Sequence, residues 1–200
     1  MADDVVECRV EPRTEMLDED QMLVCAARQD TEAAGRLYDK YYGRIFAYVY
    51  HCTLDRAATE DLTSNVFLAA FAHLGRFRWR QTPFGAWLYR IATNEVRTFY
   101  RRRRSARALR LRSSRDLAHS FSPSADEGPA AAEEYRLVHQ ALLRLRPKYR
   151  AVIILRYFED KTMAEISEIT GAREGTVKCQ LHRGLVRLQE ILTEQGVLPG

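Results

Sequence analysis

"GAREGTVKCQLHRGLVRL", residues 171–188, decides how this chain is to be read. It opens on a glycine, the residue that most readily takes the left-handed backbone geometry found just past a helix. Upstream, Thr162 is placed to cap a short helix, "MAEISEIT", whose Ile166 and Ile169 point toward a core. Beyond Gly171 a second helix is expected to start near Glu174, with Val177, Leu181, Leu185 and Leu188 at helical spacing on its inner side. Thr176, Lys178, Cys179, His182 and Arg183 are left for the outer side, mostly near the helix start. This is the layout of a helix-turn-helix, whose second helix brings its N-terminal residues to base edges while the first crosses the backbone. Lys178 and Arg183 suit guanine or phosphate, and Thr176 suits a base or a phosphate oxygen. Short helical hairpins with a glycine corner also occur in domains that never touch DNA, so the pattern alone leaves both readings open. Gly184 is an oddity within the helix, costing about 1 kcal/mol relative to alanine.

Working outward, the 200 residues are 46% hydrophobic and 29% charged, which suits one or two small domains with real cores. The net charge of +4 is unevenly spread. The first twenty residues, "MADDVVECRVEPRTEMLDED", are acidic, whereas "VRTFYRRRRSARALRLRSSR", residues 96–115, carries many arginines and no carboxylate. Such a basic block points to a polyanion, nucleic acid first, with a solvated arm as the plainer reading. No apolar run approaches the roughly 20 residues that span a bilayer, so no membrane insertion is expected. The acidic start lacks the layout of a signal peptide, and a cytoplasmic location is expected by default. Cys8, Cys25, Cys52 and Cys179 are scattered; His51-Cys52 and Cys179-x-x-His182 each offer only half a metal site. Neither metal nor cofactor is expected.

Helical periodicity persists through the chain while strand signals are weak, which makes the fold class all-α. A short helix is expected around Asp18 to Arg28 and a longer one from Thr31, with Leu37, Tyr41, Ile45, Tyr48, Val49 and Cys52 on one face. "LDRAATEDLTSNVFLAAFAHL", residues 54–74, supplies a third, with a stripe of Leu62, Val66, Ala69 and His73 widened by Phe67, Phe71 and Leu74. The next, "TPFGAWLYRIATNEVRTFYRRRR", is expected to use Thr82 as N-cap and Pro83 as first helical residue, with Leu88, Ile91 and Phe99 inward. After Arg104 the composition shifts to "SFSPSADEGPAAAEE", residues 120–134, rich in small and breaker residues. The expected organisation is an acidic extension over 1–16, a helical bundle over 17–104, a flexible linker over 105–132 and a second helical unit over 133–195.

In "GRFRWRQTPFGAWLYRIATNEVR", residues 75–97, Phe77, Trp79, Phe84, Trp87 and Tyr89 alternate with Arg76, Arg78, Arg80 and Arg90. Rings among cations suit single-stranded DNA, on which bases stack while the backbone follows positive charge. Trp87 and Phe84 also lie where a bundle needs core; we assign Trp87 to the core and Trp79, in a polar loop, to contact.

With these segments in hand, the chain resembles a bacterial extracytoplasmic-function (ECF) sigma factor of the sigma-70 family. "LY..Y...I..Y", "A.DL....F..A...L..F" and "F..WLYRIA.N......RR" carry the resemblance in the first unit. "AL..L...YR.VI.LRY.ED....EI....G...GTVK..LHR....L" carries it in the second. The resemblance implies a sigma2-like domain and a sigma4-like helix-turn-helix domain, and an initiation factor for RNA polymerase rather than an enzyme. It implies that Asp61, Leu62, Phe67 and Phe71 dock on the clamp helices of the beta-prime subunit, with the beta flap a further polymerase contact. Arg76, Arg78, Trp79, Arg80, Asn94, Arg97 and Arg101 would recognise and melt the minus-ten element. Arg173, Thr176, Lys178, Cys179, His182 and Arg183 would read the minus-thirty-five element. An anti-sigma factor is an expected partner beside core polymerase and promoter DNA. The chain departs from the family pattern at Ser64 and Asn65, which bears on clamp contact, at Thr98 and at Cys179, which bear on promoter preference.

Two other functions compete. A stand-alone helix-turn-helix regulator would have little use for an aromatic-arginine loop or a polymerase-docking helix. A nucleic-acid enzyme using His51, Cys52 or His73 would lack convergent carboxylates, a phosphate-binding glycine loop and a metal cluster, and ranks last.

Overall fold

The computed structural model describes residues 19–78, 82–110 and 129–197, with side chains over 19–78, 82–106 and 135–197. Among them the regular structure is helical: α1 (Glu19–Ala26), α2 (Thr31–Thr53), α3 (Arg56–His73), a 3-10 turn (Leu74–Arg76), α4 (Phe84–Arg110), α5 (Pro129–Arg144), α6 (Pro147–Tyr157), α7 (Met163–Thr170) and α8 (Glu174–Glu194).

Helix starts follow capping chemistry. Asp30 caps α2, its carboxylate accepting from Glu32 N at 2.9 Å and Ala33 N at 3.3 Å. Asp55 does the same for α3 through Ala58 N at 3.1 Å. Between those two helices Leu54 takes the left-handed conformation at φ 50° and is held there as a buried residue. The Thr53 and Thr59 hydroxyls meet beneath it at 2.8 Å. The expected α2 face, Leu37, Tyr41, Ile45, Tyr48, Val49 and Cys52, is buried throughout.

The entry to α4 falls one residue later than the sequence suggests. Pro83 serves as the last residue before the helix, its carbonyl accepting from Trp87 N at 3.2 Å. Helix α4 then runs to Arg110, and α5 begins at Pro129, so both described ends of the expected 105–132 linker are helical. The arginine-rich run favours helix and Pro129 suits a first helical position, which composition alone understated. The acidic extension and residues 111–128 lie outside the described residues.

A larger difference lies between the two units. A flexible linker between two helical units suggests independent packing, yet one cluster of buried side chains runs through both. It joins Leu37, Tyr48, Leu88 and Val96 to Val152, Leu155, Ile166 and Val177. A smaller cluster, including Leu142, Ile153 and Ile191, sits between α5, α6 and α8. Helices α2 and α4 form one side of the seam, and α5, α6 and α7 the other. Arg150 of α6, itself buried, donates to the Cys52 carbonyl of α2 at 2.7 Å and lies over the Tyr100 ring of α4 at 4.5 Å. Tyr89 of α4 donates to Glu159, which follows α6, and Lys161 stands over the Tyr89 ring.

Candidate nucleic-acid and polymerase interface

The helix-turn-helix is built as its sequence demands. Thr162 and Glu165 form a reciprocal capping box: Thr162 Oγ1 accepts from Glu165 N at 3.2 Å, and Glu165 Oε2 accepts from Thr162 N at 2.8 Å. The pairing holds the Glu165 carboxyl below its ordinary range against an opposing desolvation penalty, the largest single influence on it. At the other end Gly171 sits at φ 70° and its N–H closes α7 on the Ser167 carbonyl. Ser167 also donates to the Ala172 carbonyl at 2.7 Å, which fixes the corner leading into α8.

Val177 is buried, while Arg173, the residue before α8, and Thr176, Lys178, Cys179, His182 and Arg183 on it are all exposed. Farther along, Arg187 is engaged by Glu190 at 2.6 Å and Glu194 at 3.9 Å. No such pair involves Lys178 or Arg183 among the described residues, so the available positive charge lies in the first half of the helix. The glycine at 184 has a packing reason that helix propensity hides. A Cβ there would meet Ile153 Cδ1 at 3.0 Å and Tyr149 Cβ at 3.3 Å, so its absence lets α8 lie directly on α6.

On the first unit, Asn94 and Arg101 are exposed and Arg97 is half-exposed. With the exposed Arg90 they recur at intervals of four, three and four residues, which puts them along one face of α4. Arg90, named among the cations of residues 75–97 but not in the minus-ten set, joins that set by its helical spacing. Arg76 and Arg78 are exposed at the turn after α3, where Arg78 donates to the Gly75 carbonyl at 3.2 Å. Trp79 and Arg80 lie outside the described residues. Trp87 packs on Phe77 and Phe84 as the core assignment expects and Phe84 is buried; the aromatic part of that surface is corrected at Phe77 and Tyr89, which are buried too. A bundle this small needs those rings for its core.

The residues of α3 expected to dock on polymerase differ in exposure. Asp61 is exposed and Phe71 half-buried, but Leu62 and Phe67 are core residues, 6% and 4% exposed. They can shape a docking surface only from beneath. The apolar residue facing solvent on α3 is Leu68, at 68% exposure. It stands out of register with the Leu62–Val66 stripe, which was the available signal. Phe71 and Tyr38 line a shallow groove with Ala27, Arg28, Asp30 and Ala34.

Among the described residues no group of three or more His, Cys, Asp or Glu side chains is arranged to hold a metal ion. Cys52 and Cys179 are free thiols. No described helix is long and apolar enough to cross a membrane.

Comparison with known proteins joins the two surfaces. Residues 37–106 match Sigma-70 region 2, and residues 135–188 match Sigma-70, region 4. The chain is 31% identical over 172 residues to the ECF RNA polymerase sigma factor SigL of Mycobacterium tuberculosis, covering 86% of this chain and 96% of that one. It is 29% identical over 174 residues to the ECF RNA polymerase sigma factor BldN of Streptomyces coelicolor, covering 87% of this chain and 66% of that one. The fold is also that of CnrH, solved in complex with the cytosolic domain of CnrY. The TM-score is 0.64 at 24% identity, over 88% of this chain and 99% of that one. The protein therefore belongs to the ECF RNA polymerase sigma factors, the initiation factors that direct RNA polymerase to promoters.

Proposed function

We propose that α8 reads the upstream promoter element and that the exposed face of α4 holds the downstream one. The observation that carries this is the distribution of charge on α8, where Lys178 and Arg183 stand outward ahead of the carboxylate-paired Arg187. In this reading Lys178 and Arg183 contact guanine or phosphate, Thr176 a base or phosphate oxygen, and Arg173, Cys179 and His182 flank them. Arg90, Asn94, Arg97 and Arg101, with Arg76 and Arg78, track the opened strand, and Trp79 and Arg80 are expected to contact it as well. Polymerase docking falls to Asp61, Leu68 and Phe71, supported from below by Leu62 and Phe67. The beta-prime clamp helices and beta flap are the polymerase surfaces expected to receive the two units.

No catalytic residue is needed, because the polymerase supplies the phosphodiester chemistry. Such a factor works where its polymerase does, in the cytoplasm. Restraint by an anti-sigma factor is part of the proposal. It is supported by fold neighbours solved with such partners, among them RpoE with the anti-sigma factor NepR from Bartonella quintana. The decisive experiment is reconstitution of the full chain with core polymerase on a library of candidate promoters. Specific transcript starts are expected. A chain that bound promoter DNA alone and gained nothing from polymerase would be the stand-alone regulator instead.

A further inference from the structure

The seam between the two units contains an imidazole pair for which promoter recognition has no use. His51 of α2 and His139 of α5 stack with ring centroids 5.1 Å apart and planes 25° from parallel. Phe158 closes over both, at 4.7 Å from His51 and 5.2 Å from His139. Tyr135 packs on His139 at 4.0 Å and sets its hydroxyl 3.2 Å from His51 Nδ1. His139 is 1% exposed, and neither of its ring nitrogens has a hydrogen-bond partner. Two unpartnered nitrogens in a buried site are costly. A neutral ring tolerates such a site far better than an imidazolium would.

The same seam restrains the DNA-reading parts. Helix α7 lies along α4, and a Cβ at Gly171 would stand 3.8 Å from Arg90 Nη2. The helix-turn-helix corner thus abuts the face that carries Asn94. Promoter elements roughly 25 base pairs apart are separated by about 85 Å at roughly 3.4 Å per pair. A compact chain of this length has a radius of gyration of only about 16 Å. The closed form cannot reach both elements at once.

We propose that the closed seam is a self-restrained state of the chain and that the His51–His139 pair is its proton-operated latch. Neutral, the pair packs as part of the apolar seam; protonated, it places positive charge between α2 and α5 and drives them apart. Burial pushes both imidazoles downward, His139 to about 4 with His51 as the second cause. The sign follows. A histidine depressed in the closed form favours closure above its ordinary value near 6.5 and progressively favours opening below it.

The other ionisable groups around the pair come from every packed element. Tyr50 and Cys52 flank His51 on α2, and Tyr135 and Arg136 precede His139 on α5, after Glu133 and Glu134 in sequence. Tyr100 and Arg103 stand on α4, and Arg150 is fixed on the Cys52 carbonyl from α6. On α5 and α8, Arg144 pairs with Glu194. Glu159 acts oppositely, since burial raises its carboxyl and proton uptake there favours closure.

The inference rests on the proposed function only for its consequence at a promoter; its test needs neither DNA nor polymerase. Small-angle scattering of the full chain would be followed from about pH 8 to about pH 5.5, with far-ultraviolet circular dichroism in parallel. The radius of gyration is expected to grow by several ångströms below about pH 6.5 with helix content retained, the open fraction rising at most about tenfold per pH unit for each imidazole. H139Q and H51Q are each expected to flatten that response. A constant wild-type radius, an unchanged response in both variants, or expansion only together with helix loss would overturn the proposal. If H139Q fails to fold, the wild-type profile and H51Q decide.

Discussion

Arg150 Nη1 donates to the Cys52 carbonyl across the seam at 2.7 Å, while its Nη2 serves the Leu143 and Leu145 carbonyls at 3.0 and 3.1 Å. A buried cation of one unit thus satisfies the ends of helices in both, where carbonyls lack partners and the helix dipole favours positive charge. Replacing it with methionine keeps much of the apolar stem but takes the guanidinium donor from the Leu143 and Leu145 carbonyls, while the Tyr100 hydroxyl still serves Cys52 at 2.9 Å. Arg150→Met is expected to cost about 2–4 kcal/mol in urea denaturation. Lysine is not expected to rescue it, because one ammonium cannot replace a planar fork serving carbonyls on two sides.

Gly184 and Gly175 offer a paired test on one helix. Gly175 has open space around its Cβ position, whereas a Cβ at Gly184 would press on Tyr149 and Ile153. Gly175→Ala is expected to leave stability unchanged or raise it by up to about 1 kcal/mol. Gly184→Ala is expected to lower it by about 1 kcal/mol, since overpacking outweighs the gain in helix propensity. Thermal unfolding of the two variants gives the order.

Leu62 and Leu68 lie on one helix with opposite duties. Leu62→Ala should cost about 2–5 kcal/mol in chemical denaturation by opening a cavity. Leu68→Glu should leave the unfolding curve within about 0.5 kcal/mol of the native one. Its effect is expected instead on core-polymerase affinity, measured by fluorescence anisotropy. Unchanged affinity would move the docking surface elsewhere.

Arg183→Ala is expected to weaken upstream-element binding by about 1–3 kcal/mol and to relax preference at one base position. An equal loss on every sequence would reassign Arg183 to a phosphate. Titration against a panel of duplexes at two salt concentrations separates the outcomes.

Cys52 is enclosed, and burial pushes its thiol up to about 12. At about pH 8 the thiolate fraction then falls roughly a thousandfold or more below that of an ordinary cysteine. Iodoacetamide should modify exposed Cys179 and spare Cys52 until the chain is denatured, as mass spectrometry of peptides would report.

What could be read in advance was whatever local chemistry determines. The Asp30, Thr162 and Gly171 signals set helix ends, and the α2 stripe from Leu37 to Cys52 named a core face. Side chains whose setting depends on distant packing were harder. Leu62 and Phe67 looked available for docking until α2 and α4 covered them, and Gly184 looked like a defect until α6 gave it a neighbour. The seam was least visible of all. Its members, Cys52, Tyr89, His139, Arg150 and Glu159, are far apart in sequence and share no periodicity.

The buried cluster that runs from Leu37 through Leu88 to Val177 also sets how the molecule melts. Two independent modules would give two calorimetric peaks; at neutral pH, with the seam closed, a shared interior binds their fates into one. Damage planted in either half is then felt as thermal softening of the other, and the severed halves would each carry a sticky flank that the intact chain keeps dry.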